Sequence, residues 1–114
     1  MNSKSSTNLN EPSFYILLAL SKEPMSGYEL TRDILSITKG RLEVKTGTMY
    51  PTLKKLLDLK LIEQIDEISQ ERNKKTYQLT DEGKKILQHE VDILKEKLEE
   101  VMLIMNETEG GCRI

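Results

Sequence analysis

The stretch that decides the fold runs from Lys45 to Leu61, KTGTMYPTLKKLLDLKL. On a helix with about 100° per residue, four apolar side chains of this stretch fall on one narrow arc: Met49, Leu53, Leu56 and Leu57. This face of the helix is therefore predicted to pack against a core. The opposite face begins with two small residues, Gly47 and Thr48.

The outward face of this helix suits a nucleic-acid duplex. Small residues in the first turn allow close approach, and the free N–H groups and positive dipole end of a helix favour phosphate. Further along, Lys54 and Lys55 can reach the phosphate backbone. Considered alone, the stretch fits an ordinary amphipathic helix with two solvated lysines equally well.

Charge is unevenly distributed along the 114 residues, although the formal net charge is only −2. Residues 1–80 contain twelve Lys and Arg against ten Asp and Glu, a balance of +2, and residues 81–114 contain five against nine, a balance of −4. Within the first part, residues 39–60 hold six basic and two acidic side chains, and a second basic group lies at residues 72–75. The sequence therefore has two basic patches and an acidic C-terminal third.

Composition argues against an enzyme and against an exported or membrane protein. Cys112 is the only cysteine, so no internal disulfide can form, and no apolar run approaches the roughly 20 residues of a membrane span. His89 is the only histidine, and no motif places a serine or cysteine beside it. Asp92 and Glu96 share its helix but give at best a weak metal site. We predict a cytoplasmic protein with no catalytic residue, no metal and no cofactor.

The first helix is predicted to open at Pro12 and Ser13 and to end before Pro24, because the residue preceding a proline disfavours the helical region. Residues 1–12 have little to bury and are predicted to form a disordered arm. The run Phe14–Leu20 is apolar on every side, which indicates that a second chain helps to cover it.

A second helix is predicted to begin at Ser26-Gly27-Tyr28-Glu29, which has the spacing of a capping box. Lys39 and Gly40 form its C-terminal stop. The alternating segment Arg41–Val44 is predicted to form a very short strand, which leads into the central helix with Thr46 as its cap.

Two further strands are predicted at residues 61–68 and 75–79, joined by a polar hairpin tip at residues 69–74. Helices followed by a two-stranded hairpin are the order of a winged helix-turn-helix, in which the third helix enters the major groove and the hairpin, or wing, lies along the backbone. The predicted fold class is mainly α with a small β-hairpin (α+β), with the DNA-binding domain at residues 13–80.

The last helix is predicted at residues 81–106, with Thr80 as its cap and a flexible tail at 107–114. Its apolar residues recur at intervals of four and three and form a heptad seam: Leu87, Val91, Leu94, Leu98, Val101 and Met105. Such a helix, ~38 Å long, exceeds what the small domain can bury and predicts a dimerisation helix. The alternative is a long helix packed only on its own domain.

Over roughly residues 14–87 the sequence resembles the PadR-like transcriptional regulators. The matching motifs are Ser26–Leu30 (SGYEL), Gly47–Leu53 (GTMYPTL), Leu61-Ile62 and Lys74–Thr80 (KKTYQLT) before Gly83. The single C-terminal helix is similar to that of the smaller subfamily. The resemblance implies a homodimeric bacterial repressor that binds an operator in double-stranded DNA, with each C-terminal helix packed on the partner's first helix.

The chain departs from this family pattern at three places. The family often has glycine at the position of Lys60, where a left-handed lysine costs roughly 1 kcal/mol, so the turn here is expected to have a different shape. Its wing tip is usually richer in glycine and arginine than residues 71–74, and an aromatic residue often stands at the position of Thr76.

The resemblance and the charge pattern together give a predicted set of DNA contacts. They are Thr46, Gly47, Thr48, Tyr50, Pro51, Lys54 and Lys55 on the central helix, and Arg72, Asn73, Lys74 and Lys75 on the wing. Tyr28 is interpreted as a core aromatic with its hydroxyl at the surface, and Pro51 as shaping the first turns rather than touching DNA.

Apolar residues of the first and last helices form the predicted dimer interface: Phe14, Leu17, Leu18, Leu87, Val91, Leu94, Leu98, Val101, Met102 and Met105. Five of them could line a pocket for a small-molecule effector, namely Phe14, Leu18, Leu94, Leu98 and Met102; the alternative is a closed interface. A dimeric adaptor that binds protein instead of DNA also remains open, and the salt dependence of DNA binding separates the two hypotheses.

Overall fold

The computed structural model describes residues 9–68 and 73–112, with side chains described for residues 9–65 and 75–106. Within these ranges the chain forms α1 (Glu11–Leu20), β1 (Met25–Ser26), α2 (Gly27–Ile37), α3 (Thr46–Asp58), β2 (Ile62–Ile68), β3 (Asn73–Leu79) and α4 (Asp81–Cys112). The strands form one antiparallel sheet in the order β1-β3-β2. The predicted winged helix-turn-helix with a long C-terminal helix is confirmed.

Helix α1 begins at Glu11, one residue before the predicted opening at Pro12 and Ser13. The Asn10 side chain accepts a hydrogen bond from the Ser13 N–H at 3.0 Å, which caps the helix, and Pro12 lies in its first turn, where a missing N–H costs nothing. The end of the predicted arm is therefore helical, and residues 1–8 lie outside the described part of the chain.

Helix α2 begins and ends as its sequence predicts. The Glu29 N–H donates to Ser26 Oγ at 3.2 Å and the Ser26 N–H donates to Glu29 Oε1 at 2.9 Å, which completes the capping box. After the helix, Lys39 and Gly40 both adopt left-handed backbone, with φ of 54° and 84°. The turn toward α3 therefore uses one lysine as well as the expected glycine.

The strand predicted at Arg41–Val44 is wrong. Val44 is buried, and its carbonyl accepts a hydrogen bond from Thr31 Oγ1 at 3.0 Å. The segment is therefore hydrogen-bonded to α2 and not to a strand. The third strand is Met25–Ser26, in which Met25 pairs with Tyr77 of β3.

The hydrophobic core lies between α1, α2, α3 and one face of the sheet. Its fully buried large side chains are Ile16, Leu17, Leu30, Ile34, Val44, Met49, Leu53, Leu56 and Ile62. Met49, Leu53 and Leu56 lie on the inward arc of α3 that its periodicity predicts, so the opposite face of α3 points away from the domain.

The turn after α3 packs against the start of α4. Lys60 has a φ of 63°, and its carbonyl accepts a hydrogen bond from Thr80 Oγ1 at 2.8 Å. The same hydroxyl accepts from the Gly83 N–H at 3.0 Å and so caps α4. An ideal Cβ on Gly83 would lie 2.0 Å from the carbonyl oxygen of Leu61, so only glycine permits this close approach.

Helix α4 has 32 residues and is about 48 Å long at 1.5 Å per residue. Its backbone stays helical to Cys112, beyond the predicted end at residue 106. Only its first turns pack on the domain: Leu87 is buried and Val91 half-buried. Beyond Val91 the seam residues are about half exposed, so this part of α4 extends past the core of its own chain.

Candidate nucleic-acid interface

The first turn of α3 is open to solvent. Thr46, Gly47 and Thr48 are all exposed. The prediction that Thr46 caps this helix is wrong, because Thr46 is already helical and the cap position is Lys45, which makes no side-chain hydrogen bond. A lysine has no acceptor to offer the first N–H groups. The N-terminal end of α3 therefore keeps its positive dipole end uncapped by a side chain and available to an anion.

Gly47 is not required by the packing of the domain. An ideal Cβ at this position meets nothing within 4 Å, and its backbone is not left-handed. Neither steric crowding nor an unusual dihedral angle explains a glycine in the first turn of a helix, where it is costly. A glycine here does allow an external surface to approach the backbone of α3 closely.

Pro51 lies inside α3 and is exposed. It has no N–H to donate to the carbonyl of Gly47, four residues earlier. The next residue, Thr52, adds a side-chain hydrogen bond in the same turn: its hydroxyl donates to the Thr48 carbonyl at 2.7 Å. The contacts of this proline and its neighbour thus fit the interpretation that Pro51 shapes the first turns.

The two lysines of α3 differ in their surroundings. Lys54 Nζ lies 3.3 Å from Asp58 Oδ2, and both side chains are largely exposed, at 76% and 66%. An exposed pair of this kind contributes little to stability, so Asp58 does not prevent Lys54 from binding a phosphate. Lys55 is exposed beside it.

The hairpin places Lys75 at the surface, while its tip lies outside the described residues. Lys75 is exposed on β3 and pairs by backbone register with Asp66 of β2. Of the other predicted wing contacts, Arg72 is outside the described part of the chain, and the side chains of Asn73 and Lys74 are not described.

Arg41 belongs to the basic segment 39–60 but is engaged within the protein. Its guanidinium donates to Glu11 Oε2 at 2.9 Å and to the Tyr15 hydroxyl at 2.7 Å. These two hydrogen bonds, first that of Glu11 and then that of Tyr15, raise the pKa of Arg41 above its ordinary value. These contacts connect the turn between α2 and α3 to α1, although the Arg41 side chain stays 56% exposed.

The prediction that Tyr28 is a core aromatic is wrong. Its side chain is 67% exposed, and Arg32 donates to its hydroxyl at 3.2 Å. The helical spacing could have shown this, because Tyr28 lies about 200° around α2 from the buried Leu30. Tyr28 is therefore a surface group that the predicted set of contacts omits.

Tyr28 shares a cleft with predicted contact residues of α3 and β3. This tyrosine cleft has a volume of about 350 Å³ and is lined by Ser26, Gly27, Tyr28, Glu29, Tyr50, Lys75 and Tyr77. Tyr50 is 50% exposed, whereas Tyr77 is buried. Burial raises the pKa of the Tyr77 hydroxyl above its ordinary value, and the nearby Tyr50 adds to the effect.

The predicted dimerisation residues separate into three groups by exposure. Leu17 is fully buried and Leu87 is 8% exposed, so the prediction that they contact a second chain is wrong: both belong to the core of the protomer. Phe14, Leu18 and Val91 are half-buried against that core. The remaining residues, all on α4, are between 48% and 58% exposed: Leu94, Leu98, Val101, Met102 and Met105.

The described residues offer neither a membrane-spanning helix nor a metal cluster. No helix in this part of the chain has both the length and the hydropathy to cross a membrane. In the same residues no cluster of three or more His, Cys, Asp or Glu side chains is arranged to hold a metal ion.

Comparison with known proteins identifies the family. Residues 16–89 match the model of the transcriptional regulator PadR-like family. No protein of curated function matches the chain significantly.

Solved structures of regulators are similar to this chain. A PadR-like transcription factor from Bacteroides fragilis is 30% identical with a TM-score of 0.69, covering 81% of this chain and 87% of that one. A PadR family transcription regulator from Clostridium difficile is 28% identical, with a TM-score of 0.65 and coverage of 86% and 97%. Bacillus subtilis PadR in complex with operator DNA is 34% identical, with a TM-score of 0.63 over 69% of this chain and 45% of that one. The chain belongs to the PadR-like family of transcriptional regulators, which are not enzymes.

Proposed function

We propose that this protein is a homodimeric repressor that binds a specific operator in double-stranded DNA. In this proposal α3 of each protomer enters the major groove, with Gly47 and Thr48 nearest its floor, and Lys54 and Lys55 bind phosphates further along. The strand β3 lies along the adjacent backbone through Lys75. Because its target is the bacterial genome, the protein acts in the cytoplasm.

The observation that best supports DNA binding is the outward face of α3. It is exposed from Thr46 to Lys55, its first turn has no bulky side chain, and its glycine has no role in packing. Bacillus subtilis PadR, whose structure includes operator DNA, is similar over 69% of the chain. An amphipathic helix made only for solvent does not need the small first turn.

The experiment that tests this proposal is selection of bound fragments from random duplexes at physiological salt, followed by fluorescence anisotropy on the selected site. We expect a two-fold symmetric sequence whose half-sites are roughly one helical turn apart. Binding should weaken steeply with salt, because phosphate contacts release counterions. Absence of binding to every duplex, even at low salt, would refute the proposal and favour the alternative of a protein-binding adaptor.

Lysine variants show whether the named residues make the contacts. Alanine at Lys54, Lys55 or Lys75 should each flatten the plot of log affinity against log salt by about 0.9. Lys85→Ala is the matched control, since Lys85 is an exposed lysine on α4, on the side opposite the apolar seam. An equal change in slope for Lys85→Ala would mean that only net charge matters.

Dimerisation is proposed to use the exposed part of the α4 seam. Apolar side chains that recur at intervals of three and four and stand half exposed mark a surface that another helix covers. Leu98→Glu is expected to convert the dimer to a monomer in light scattering. Leu103→Glu is the control: Leu103 is equally exposed, at 62% against 58%, but lies about 140° around the helix from Leu98.

Relief by a small molecule is the remaining part of the proposal. Phe14 and Leu18 are half-buried on α1, and Leu94, Leu98 and Met102 are exposed on α4, so an apolar compound could enter where the two helices meet in a dimer. Such a compound would change the separation of the two α3 helices. An unchanged separation in crystals grown with and without compounds that bind the protein would contradict this mechanism.

A further inference from the structure

Gly27, the first residue of α2, lies directly beneath Tyr50 of α3. An ideal Cβ on Gly27 would be 2.9 Å from the Tyr50 hydroxyl oxygen and 3.2 Å from the ring atoms Cε1 and Cζ. Real Cβ atoms essentially never come within 3.0 Å of such an atom. A side chain at residue 27 would therefore push the end of the Tyr50 ring away from its observed position, a small shift that a half-exposed tyrosine can make but that moves its hydroxyl.

The position that Gly27 permits places Tyr50 in the tyrosine cleft with Tyr28 and Lys75. Half of the Tyr50 side chain and two-thirds of the Tyr28 side chain remain exposed, so both can present hydroxyl donors to a molecule outside the protein. Lys75 adds a positive charge at the same cleft.

The cleft is also lined by one acidic residue, Glu29, which is exposed and keeps its negative charge. Glu29 accepts a hydrogen bond from the Ser26 N–H at 2.9 Å as part of the capping box. Tyr77 forms the buried side of the cleft, and its raised pKa keeps it neutral at physiological pH. The donors at the cleft are two hydroxyls and the ammonium group of Lys75, which suit a phosphodiester oxygen, and Lys75 offsets the charge of the Glu29 carboxylate.

We propose that Gly27 is a positioning residue for DNA binding: it lets the Tyr50 ring lie against the first turn of α2 and so holds the Tyr50 hydroxyl where it donates to a backbone phosphate beside Lys75. The inference rests on the proposed function. It assigns a role to a residue that does not itself contact DNA, and it places a phosphate contact beside α3 and not in the major groove.

The test is a double-mutant cycle of Gly27→Ala and Tyr50→Phe on the selected operator, well below the unfolding temperature of each variant. Each single change should lower affinity about tenfold, the loss of one hydrogen bond to a charged group. The double variant should bind within twofold of Tyr50→Phe alone, because Gly27→Ala acts only through the hydroxyl. A hundredfold loss in the double variant, the product of two independent effects, would overturn the proposal.

Two further measurements separate positioning from a general defect. The salt slope should stay at its wild-type value in Gly27→Ala, because the lost donor is uncharged, whereas Lys75→Ala flattens it. In protein labelled with 3-fluorotyrosine, the ¹⁹F signal of Tyr50 should shift when operator is added to wild type and should not shift in Gly27→Ala. The same shift in both proteins would contradict the inference.

Folding of the variants gives an independent check. If Gly27→Ala alone does not fold, Gly27→Ala with Tyr50→Phe should fold, since the change to phenylalanine removes the 2.9 Å contact and leaves only the 3.2 Å contacts. Failure of both variants to fold would show that Gly27 serves packing and not Tyr50. Absence of DNA binding by wild type would refute the proposed function itself, whereas wild-type binding with an additive cycle would refute only this inference.

Discussion

Alanine substitutions at Gly47 and Gly40 should have opposite effects on stability, although both sites have room for a side chain. An ideal Cβ meets nothing within 4 Å at either position. They differ in backbone conformation: Gly40 has a φ of +84°, whereas Gly47 lies in the first turn of α3 with ordinary helical backbone. The pair therefore isolates the backbone effect from steric crowding.

The size of each effect follows from the local conformation. Replacing glycine by alanine raises the free energy of unfolding by about 1 kcal/mol in a helix interior and by about half of that in the first turn. Gly47→Ala should therefore raise the free energy of unfolding by about 0.5 kcal/mol. For a domain of this size the midpoint should rise by roughly 2–3 °C. Gly40→Ala should lower the free energy of unfolding by about 1 kcal/mol, because a residue with a Cβ is strained in the left-handed region.

The alanine at residue 47 that stabilises the fold should weaken DNA binding. If α3 lies in the major groove, a side chain at residue 47 occupies the space between the helix backbone and the base edges. We expect Gly47→Ala to weaken binding and Gly47→Gln, which is longer, to weaken it by at least about tenfold. Gly40→Ala should bind with wild-type affinity, since residue 40 lies in the turn between α2 and α3.

The assay combines thermal unfolding by circular dichroism at fixed protein concentration with anisotropy on the selected operator at fixed salt. A Gly47 variant that is more stable yet binds less tightly would support the view that glycine is present for the ligand. The reasoning is refuted if Gly47→Gln binds as well as wild type, or if Gly47→Ala unfolds at a lower temperature.

Three further predictions concern stability. Lys60→Gly should raise the free energy of unfolding by about 1 kcal/mol in urea titration, because Lys60 has a φ of 63°; no gain would mean that the lysine is not strained. Gly83→Ala should lose at least about 3 kcal/mol, since its Cβ would lie 2.0 Å from the Leu61 carbonyl oxygen; near-wild-type urea unfolding would contradict the described packing. The raised pKa of Tyr77 gives stability that is fully present below the unfolded value of 10.0 and is lost as pH rises through the folded value. Tyr77→Phe should therefore lose stability less steeply than wild type above pH 10, and identical profiles would exclude this linkage.

Local signals predicted the helices because those signals act through neighbouring residues. The capping box at Ser26 and Glu29 forms within four residues of chain, and the inward arc of α3 follows from helical periodicity alone. The turn at Lys60 was mispredicted: the cost of a left-handed lysine suggested a differently shaped turn, yet Lys60 has a φ of 63° and its carbonyl accepts a hydrogen bond from the distant Thr80 hydroxyl.

The short strand was mispredicted because its formation depends on a distant partner. Met25 and Ser26 form a strand only through pairing with Tyr77 and Thr76, about fifty residues later. The alternating pattern at residues 41–44 resembles a strand locally, yet the Val44 carbonyl accepts a hydrogen bond from Thr31 of α2 and not from a strand. Pairing between distant segments is not visible in the pattern of either segment alone.

The heptad seam of α4 was also only partly predictable from the sequence. The same seam links dimerisation to DNA binding in the proposed mechanism. An apolar period marks positions to be covered but not which chain covers them, so Leu87 packs on its own domain while Leu98 is left exposed. The first turn of α4 is fixed to the end of α3 by the Thr80 hydroxyl, which contacts the Lys60 carbonyl and the Gly83 N–H. If the exposed part of the seam joins two protomers, the angle at which it does so sets the distance between their α3 helices. A compound that changes this angle could then release DNA without touching the recognition surface.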